Sequence, residues 1–209
     1  MILRHVITAA TALCFATIQT GCARSPQVSF YTLGSANAVK VAAPNPSKIA
    51  PSVSVVNITL PIFVDRPQLV ENVTPNRLEI LESHRWAEPL KSGISRLLAE
   101  NLAARLGTDM VTAYPQNTTG EPDYRVSVDI QRFESLGDSV SVDALWRIWR
   151  TSDPGKQDKV PFTRTGRSQR RESRSGQGYE ALIAAYNRAI ASLGNDIALV
   201  IRADSEGVK

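Results

Sequence analysis

Residues Tyr124-Arg-Val-Ser-Val-Asp-Ile130 alternate strictly between apolar and polar side chains. Successive strand residues point to opposite faces, so this segment has one dry face and one wet face. The pattern constrains everything around it, because a half-buried strand needs neighbours on both edges and a layer over its apolar face. Gly137-Asp138 marks a turn, and Ser139–Arg150 follows as a longer strand with Val140, Val142, Ala144, Trp146 and Ile148 on one side. Pro154-Gly155 marks a second turn. Val160–Ser173 reads as a third strand with poor alternation and a basic face, which suits a sheet edge. The three make an antiparallel meander.

Further strands are expected upstream. Val28–Leu33 and Ser52–Thr59 are rich in β-branched and aromatic residues, and Arg77–Leu81 and Asp109–Tyr114 are shorter candidates. Residues 35–51 carry Pro44, Pro46 and Pro51 and read as a loop; Ile62–Val70, with Asp65-Arg66-Pro67-Gln68, reads as irregular.

Two helices are expected. Trp86-Ala-Glu-Pro-Leu90 opens the first, since proline is tolerated where its missing N–H has no intrahelical partner. Leu90, Ile94, Leu97, Leu98, Leu102 and Leu106 recur at helical spacing up to Gly107, and Lys91, Ser95, Arg96, Glu100 and Arg105 line the opposite face. The second helix follows Gly176-Gln-Gly178. Its apolar stripe is Tyr179, Ile183, Tyr186, Ile190, Leu193, Ile197 and Val200, with Gly194 as a local weak point. The order of elements gives an α+β, two-layer domain, with both helices on one face of a largely antiparallel sheet.

Titratable chemistry is sparse. Cysteine occurs at positions 14 and 22 and histidine at 5 and 84, too few to compose a zinc site of ordinary type after any leader is removed. A serine triad would have to use His84, whose plainer reading is a surface or strand-end residue. Pairs such as Glu79 and Glu82 do not stand out from a wet surface, so the chain is read as non-enzymatic. The net charge of +4 is local: Arg164, Arg167, Arg170, Arg171 and Arg174 fall close together. This is a solvated strand face or a site for anionic lipid or an acidic protein. No nucleic-acid-binding motif is present.

At the amino terminus, Arg4 and His5 precede a short apolar stretch, Val6–Ile18, and then Gln19-Thr20-Gly21-Cys22. The stretch is too short to span a bilayer and fits the core of an export signal. A cysteine after small residues at such a cut is the acceptor of a diacylglyceryl group; Gln19 stands where that motif ordinarily has an apolar residue. Residues 1–21 are thus expected as a leader, 22–27 as a lipidated tether and 28–205 as one domain. An ordinary secretory signal with a chance cysteine is the alternative. The expected covalent lipid is diacylglycerol plus an N-acyl chain on Cys22, with no other cofactor and no metal.

Several segments occur in a familiar order: the cysteine motif, Phe30-Tyr31-Thr32-Leu33, a strand ending in Leu60-Pro61, Asp65-Arg66-Pro67-Gln68-Leu69-Val70, Trp86-Ala87-Glu88-Pro89-Leu90, and a late amphipathic helix. Together they resemble the ABC-type transport auxiliary lipoprotein family of the PqiC (YmbA) kind. The resemblance implies a non-enzymatic lipoprotein on the periplasmic face of the outer membrane. It would serve an inner-membrane transporter whose MCE-domain protein crosses the periplasm, and Ala23 after the cysteine agrees with outer-membrane sorting. A ring of copies is conceivable for such a partner.

Candidate partner-binding residues are Asp65, Arg66 and Gln68, with Arg85 and Trp86 ahead of the helix, since arginine beside an aromatic is a common interface anchor. The alternative is that Asp65 and Arg66 pair locally and Trp86 fills the core. Competing functions are a periplasmic lipid-binding carrier and a peptidoglycan-associated structural lipoprotein.

Overall fold

In the computed structural model, residues 26–34, 50–113, 120–151 and 163–207 are described. Their elements run β1 (Ser29–Tyr31), β2 (Val53–Thr59), β3 (Gln68–Thr74), β4 (Arg77–Trp86), α1 (Leu90–Leu106), β5 (Val111–Ala113), β6 (Tyr124–Leu136), β7 (Ser139–Arg150), β8 (Thr163–Ser173) and α2 (Tyr179–Gly207). Cys22, the leader and the turn expected at Pro154-Gly155 lie outside the described residues.

The strands form one eight-stranded sheet organised around β6. One edge of β6 pairs with β7 along its whole length, antiparallel from Tyr124↔Arg150 to Leu136↔Ser139. Its other edge is shared. β2 runs parallel to its first half, and β3 meets its far end at Asn72↔Leu136. β8 lies antiparallel against β7. β3 and β4 form an antiparallel hairpin, and β1 and β5 add parallel to β4 and β2. The long ladders are antiparallel, as the meander requires, and the parallel pairings are shorter. Gly137 opens the two-residue β6–β7 turn at φ 57, a left-handed conformation that glycine adopts without steric cost.

Both helices cover one face. α1 packs against β2 and β5, and α2 against β7, β8 and α1. The buried side chains between the layers include Val126, Val128 and Ile130 of β6, Val140, Val142 and Ile148 of β7, and Leu98, Leu102, Ile190 and Ile197 of the helices. Each such aliphatic contributes about 1.5–3 kcal/mol relative to exposure. The Phe133 and Tyr186 rings stack with centroids 4.0 Å apart and planes 5° from parallel. Burial pushes the Tyr186 hydroxyl up in pKa.

Several expectations are corrected. β3, over a segment read as irregular, is a real strand; its polar sequence buries Leu69 while Val70 is partly covered. β4 runs five residues beyond Leu81, so Trp86 closes a strand, and α1 begins at Leu90 with Pro89 as its cap. Ser95 is fully buried rather than wet, because α1 meets both the sheet and α2. In α2 the stripe ends on Ile201, which is fully buried, while Val200 is partly covered; a straight helix of 3.6 residues per turn drifts away from a strict 4-3 repeat. Gly194 marks a close approach, since a Cβ there would stand 3.1 Å from the Asn101 Cβ and 3.4 Å from Leu98 Cδ1.

Candidate docking site

The five candidate residues converge where β4 ends and α1 begins. The loop between β2 and β3 folds back on itself through Val64 N–H to the Pro61 carbonyl, 3.1 Å, and Arg66 N–H to the Val64 carbonyl, 2.9 Å. Trp86 N–H then donates to the Pro67 carbonyl at 2.7 Å, and Ala87 N–H to the Tyr31 carbonyl at 2.7 Å. These bonds staple the loop, β1 and the strand–helix junction together.

Asp65 and Arg66 do not pair with one another. Asp65 accepts from Lys91 Nζ on the first turn of α1 at 2.7 Å. The Nε of Arg66 is buried with no hydrogen-bond partner among the described residues. Gln68 Nε2 donates to Glu82 Oε2 at 3.1 Å, and Arg85 Nε to the Glu82 carbonyl at 3.1 Å. Gln68, Glu82 and Arg85 therefore form one polar group along the β3–β4 ladder, where Gln68 stands opposite Arg85.

Trp86 is 8% exposed and belongs to the core. Its place as a surface anchor is thereby corrected: as the last residue of the longer β4 it is paired with Tyr31 of β1 and takes part in the core. The exposed aromatic beside Arg85 is instead Phe30, which is opposite it in the β1–β4 register and 65% exposed. Ile62, at the tip of the loop, is 89% exposed. Neither was singled out from the sequence. Phe30 had a signal in the alternation of Val28 and Phe30; Ile62 had none, because a lone apolar residue in a loop is common.

The segments flanking this surface are held by Arg96 of α1. Its guanidinium donates to Glu88 Oε1 at 2.6 Å, to Thr32 Oγ1 at 3.2 Å, to Glu100 Oε1 at 3.0 Å and to the Leu33 carbonyl. The hydrogen bond to Glu88 is the main cause of its raised pKa. Phe30-Tyr31-Thr32-Leu33 and Trp86-Ala87-Glu88-Pro89-Leu90 are thus tied to one side chain.

His84 sits in an aromatic cluster. Its Nδ1 is 2.9 Å from the Tyr31 hydroxyl, and its ring centroid is 3.9 Å from that of Tyr179. No acidic, histidine or cysteine cluster able to hold a metal occurs among the described residues.

The basic cluster is largely matched internally. Arg167 makes a two-pronged contact with Asp143 across the β7–β8 ladder, its Nε 2.8 Å from Oδ1. That contact is the first cause holding the Asp143 carboxyl down to about 2. Arg170 pairs with Asp196 of α2, Arg174 with Glu71 of β3 at 3.1 Å, and Arg171 Nε donates to Ser139 Oγ at 3.1 Å. Arg164 donates to the Thr163 carbonyl at 3.2 Å. The poor alternation of β8 has its reason here. Its helix-side residues Ser168, Arg170 and Glu172 meet the polar flank of α2 at Asp196 and Arg188.

At the β4–α1 junction of this α+β scaffold the structure thus brings together an exposed apolar loop residue, Ile62, an exposed aromatic, Phe30, and the two arginines Arg66 and Arg85. The family model of the ABC-type transport auxiliary lipoprotein component matches residues 31–198, and the chain belongs to that family. Among solved structures, an uncharacterized protein superposes with a TM-score of 0.60 at 16% identity, covering 84% of this chain and 99% of its own. A DUF330-family protein from Xanthomonas campestris superposes with a TM-score of 0.58 at 17% identity, covering 85% and 99%. At these identities the likeness is one of fold. No functionally curated protein matches the sequence. Among the described residues no helix is long and apolar enough to cross a membrane.

Proposed function

We propose that this protein is a non-enzymatic accessory subunit of an MCE-type ABC lipid-transport system, held on the periplasmic face of the outer membrane by lipid on Cys22. It docks the periplasmic MCE-domain protein through the junction of β4 and α1. The observation that carries this reading is Arg66: its Nε is buried without a hydrogen-bond partner among the described residues, in the loop that also carries the exposed Ile62 and the Asp65–Lys91 pair. A buried donor without an acceptor costs about 1–3 kcal/mol, so a docking step that shifts the loop and offers Nε a carbonyl or carboxylate is favoured. Arg85 and Phe30, opposite one another across β4 and β1, extend the same surface, with Glu82 held between Gln68 and Arg85.

A lipid carrier needs an apolar cavity between helix and sheet. The stacked Phe133–Tyr186 pair and the close approach at Gly194 argue for packed layers there. The test is crosslinking of the lipidated protein in its native envelope, followed by identification of what is recovered with it. An MCE-domain protein is expected with the wild-type chain and lost with Arg66→Glu at equal expression and anchoring. Recovery of no transporter component from a well-expressed, anchored protein overturns the reading.

A further inference from the structure

The end of the sheet remote from the proposed docking surface carries an apolar patch that the docking reading does not use. Val73, Leu78, Ile80 and Leu136 are each between 40% and 42% exposed. Leu78 and Ile80 face Asn72 and Val70 across the β3–β4 hairpin, and Leu136 stands on the other side of Asn72. Leu78, Ile80 and Leu136 therefore share one face near the Pro75-Asn76 turn and the adjoining Gly137-Asp138 turn, and Val73 stands at the register break beside them.

The course of the chain says what covers them. β1 runs parallel to β4, with Ser29 opposite His84 and Tyr31 opposite Trp86. Followed backwards from Ser29, the chain heads toward Leu81 and the hairpin tip, away from the docking surface. Cys22 is seven positions before Ser29, a span that reaches about 24 Å at full extension. From the level of Ser29, the hairpin tip is seven residues along β4, about 23 Å at strand rise. A lipid on Cys22 thus reaches about the level of the tip and no farther along this direction, which brings the tip to the bilayer surface. Arg77, Glu79 and Asp138 lie at the two turns, and Arg171 Nε and the Arg174 N–H are bonded to Ser139 Oγ and the Asp138 carbonyl beside them, so charge of both signs borders the apolar patch.

We propose that the β3–β4 hairpin tip, with Leu136 of the neighbouring turn, inserts shallowly into the lipid surface that holds Cys22 and orients the docking surface away from the membrane. This rests on the lipidation part of the proposed function. Shallow burial at the headgroup boundary scales with the apolar area buried, to which attraction of bordering cations to anionic lipid adds.

The experiment uses the mature lipidated protein in vesicles of phosphatidylethanolamine and phosphatidylglycerol. With Cys14 removed in the leader and Cys22 acylated, an introduced cysteine is the single reactive thiol. Spin labels are placed at Leu78→Cys and Leu136→Cys, with Leu145→Cys as a control of similar exposure at mid-sheet. The expected result is a several-fold higher ratio of lipid-soluble to water-soluble quencher access at 78 and 136 than at 145, which persists at high salt. Equal ratios at all three sites overturn the inference. So do labels at 78 and 136 shielded from both quenchers with strong label–label coupling, which means that a second copy covers the patch. The mass of the amino-terminal peptide separates the two levels: an unmodified Cys22 removes the premise, whereas an acylated Cys22 with water-exposed tip labels overturns the orientation alone.

Discussion

Gly166 of β8 lies directly beneath the indole of Trp146: a Cβ at position 166 would stand 2.1 Å from Trp146 Cζ2. The two residues are opposite one another across the β7–β8 ladder. The indole cannot easily step aside, because its Nε1 donates to Ser168 Oγ at 3.1 Å, and that hydroxyl donates to Asp196 Oδ2 at 2.5 Å. Gly166→Ala is expected to destabilise the fold by about 1–3 kcal/mol through overpacking. Gly34→Ala, where nothing lies within 4 Å, is the control and should change little. Equilibrium urea unfolding of both variants checks this.

Trp86 and Ile62 should separate stability from recognition. Trp86→Ala removes a core side chain and is expected to cost about 3–5 kcal/mol. Ile62→Ser alters an exposed loop tip and should leave stability within about 0.5 kcal/mol. If the docking reading holds, Ile62→Ser nonetheless reduces recovery of the MCE-domain protein in crosslinking. Thermal unfolding and partner recovery, measured on the same preparations, distinguish the two roles.

Asp143 gives an acid dependence of known sign. Its folded pKa is lowered from 3.8 to about 2, first by the hydrogen bonds from Arg167. A group with a depressed folded pKa contributes stability above its unfolded pKa and loses it as pH falls through the folded one. Stability should therefore decline between pH 3.8 and about 2, and Asp143→Asn should flatten the profile in that window. Denaturant midpoints measured across it test the assignment.

Tyr124 gives an alkaline counterpart. Its hydroxyl donates to Asp204 Oδ2 at 2.6 Å and accepts from Arg150 at 2.9 Å, linking the start of β6 and the end of β7 to the last turns of α2. Burial is the first cause raising its pKa from 10.0 to about 12. For an acid raised in this way, the neutral form is favoured on folding, so its contribution is present below pH 10 and lost as pH rises toward 12. In an ultraviolet pH titration Tyr124 should fall, with Tyr179 and Tyr186, among the late-titrating phenols; Tyr124→Phe should remove one phenol from that late group and cost about 1 kcal/mol at neutral pH.

The helix contact at Gly194 offers a further check. Its flank is closed by Asn101 Cβ at 3.1 Å, which is bound to its own helix and cannot rotate away. Gly194→Leu should separate α1 from α2 and cost about 3 kcal/mol or more, visible as a lower unfolding midpoint.

Local pattern alone determined the elements with strong periodicity. β6 and β7 follow from strict alternation, both helices from their apolar spacing, and the stop at Gly107 from a residue that adopts φ 69 without cost. β3 was not legible, because a short strand flanked by partners on both sides needs few apolar residues of its own; hydrogen bonding to β4 and β6 makes it a strand. The length of β4 was hidden for the same reason, and with it the burial of Trp86. Of the candidate site, the sequence singled out Asp65, Arg66 and Gln68 in the loop after Pro61 and Arg85 and Trp86 ahead of the first helix; that these two segments meet at the β4–α1 junction came from the tertiary structure. Tertiary structure decided that Asp65 meets Lys91, that Trp86 goes inward, that Phe30 takes its place beside Arg85, and that most of the basic cluster faces carboxylates. Alternation and helical spacing are properties of neighbours in the chain, whereas an ion pair or a burial depends on which distant segments the sheet brings alongside.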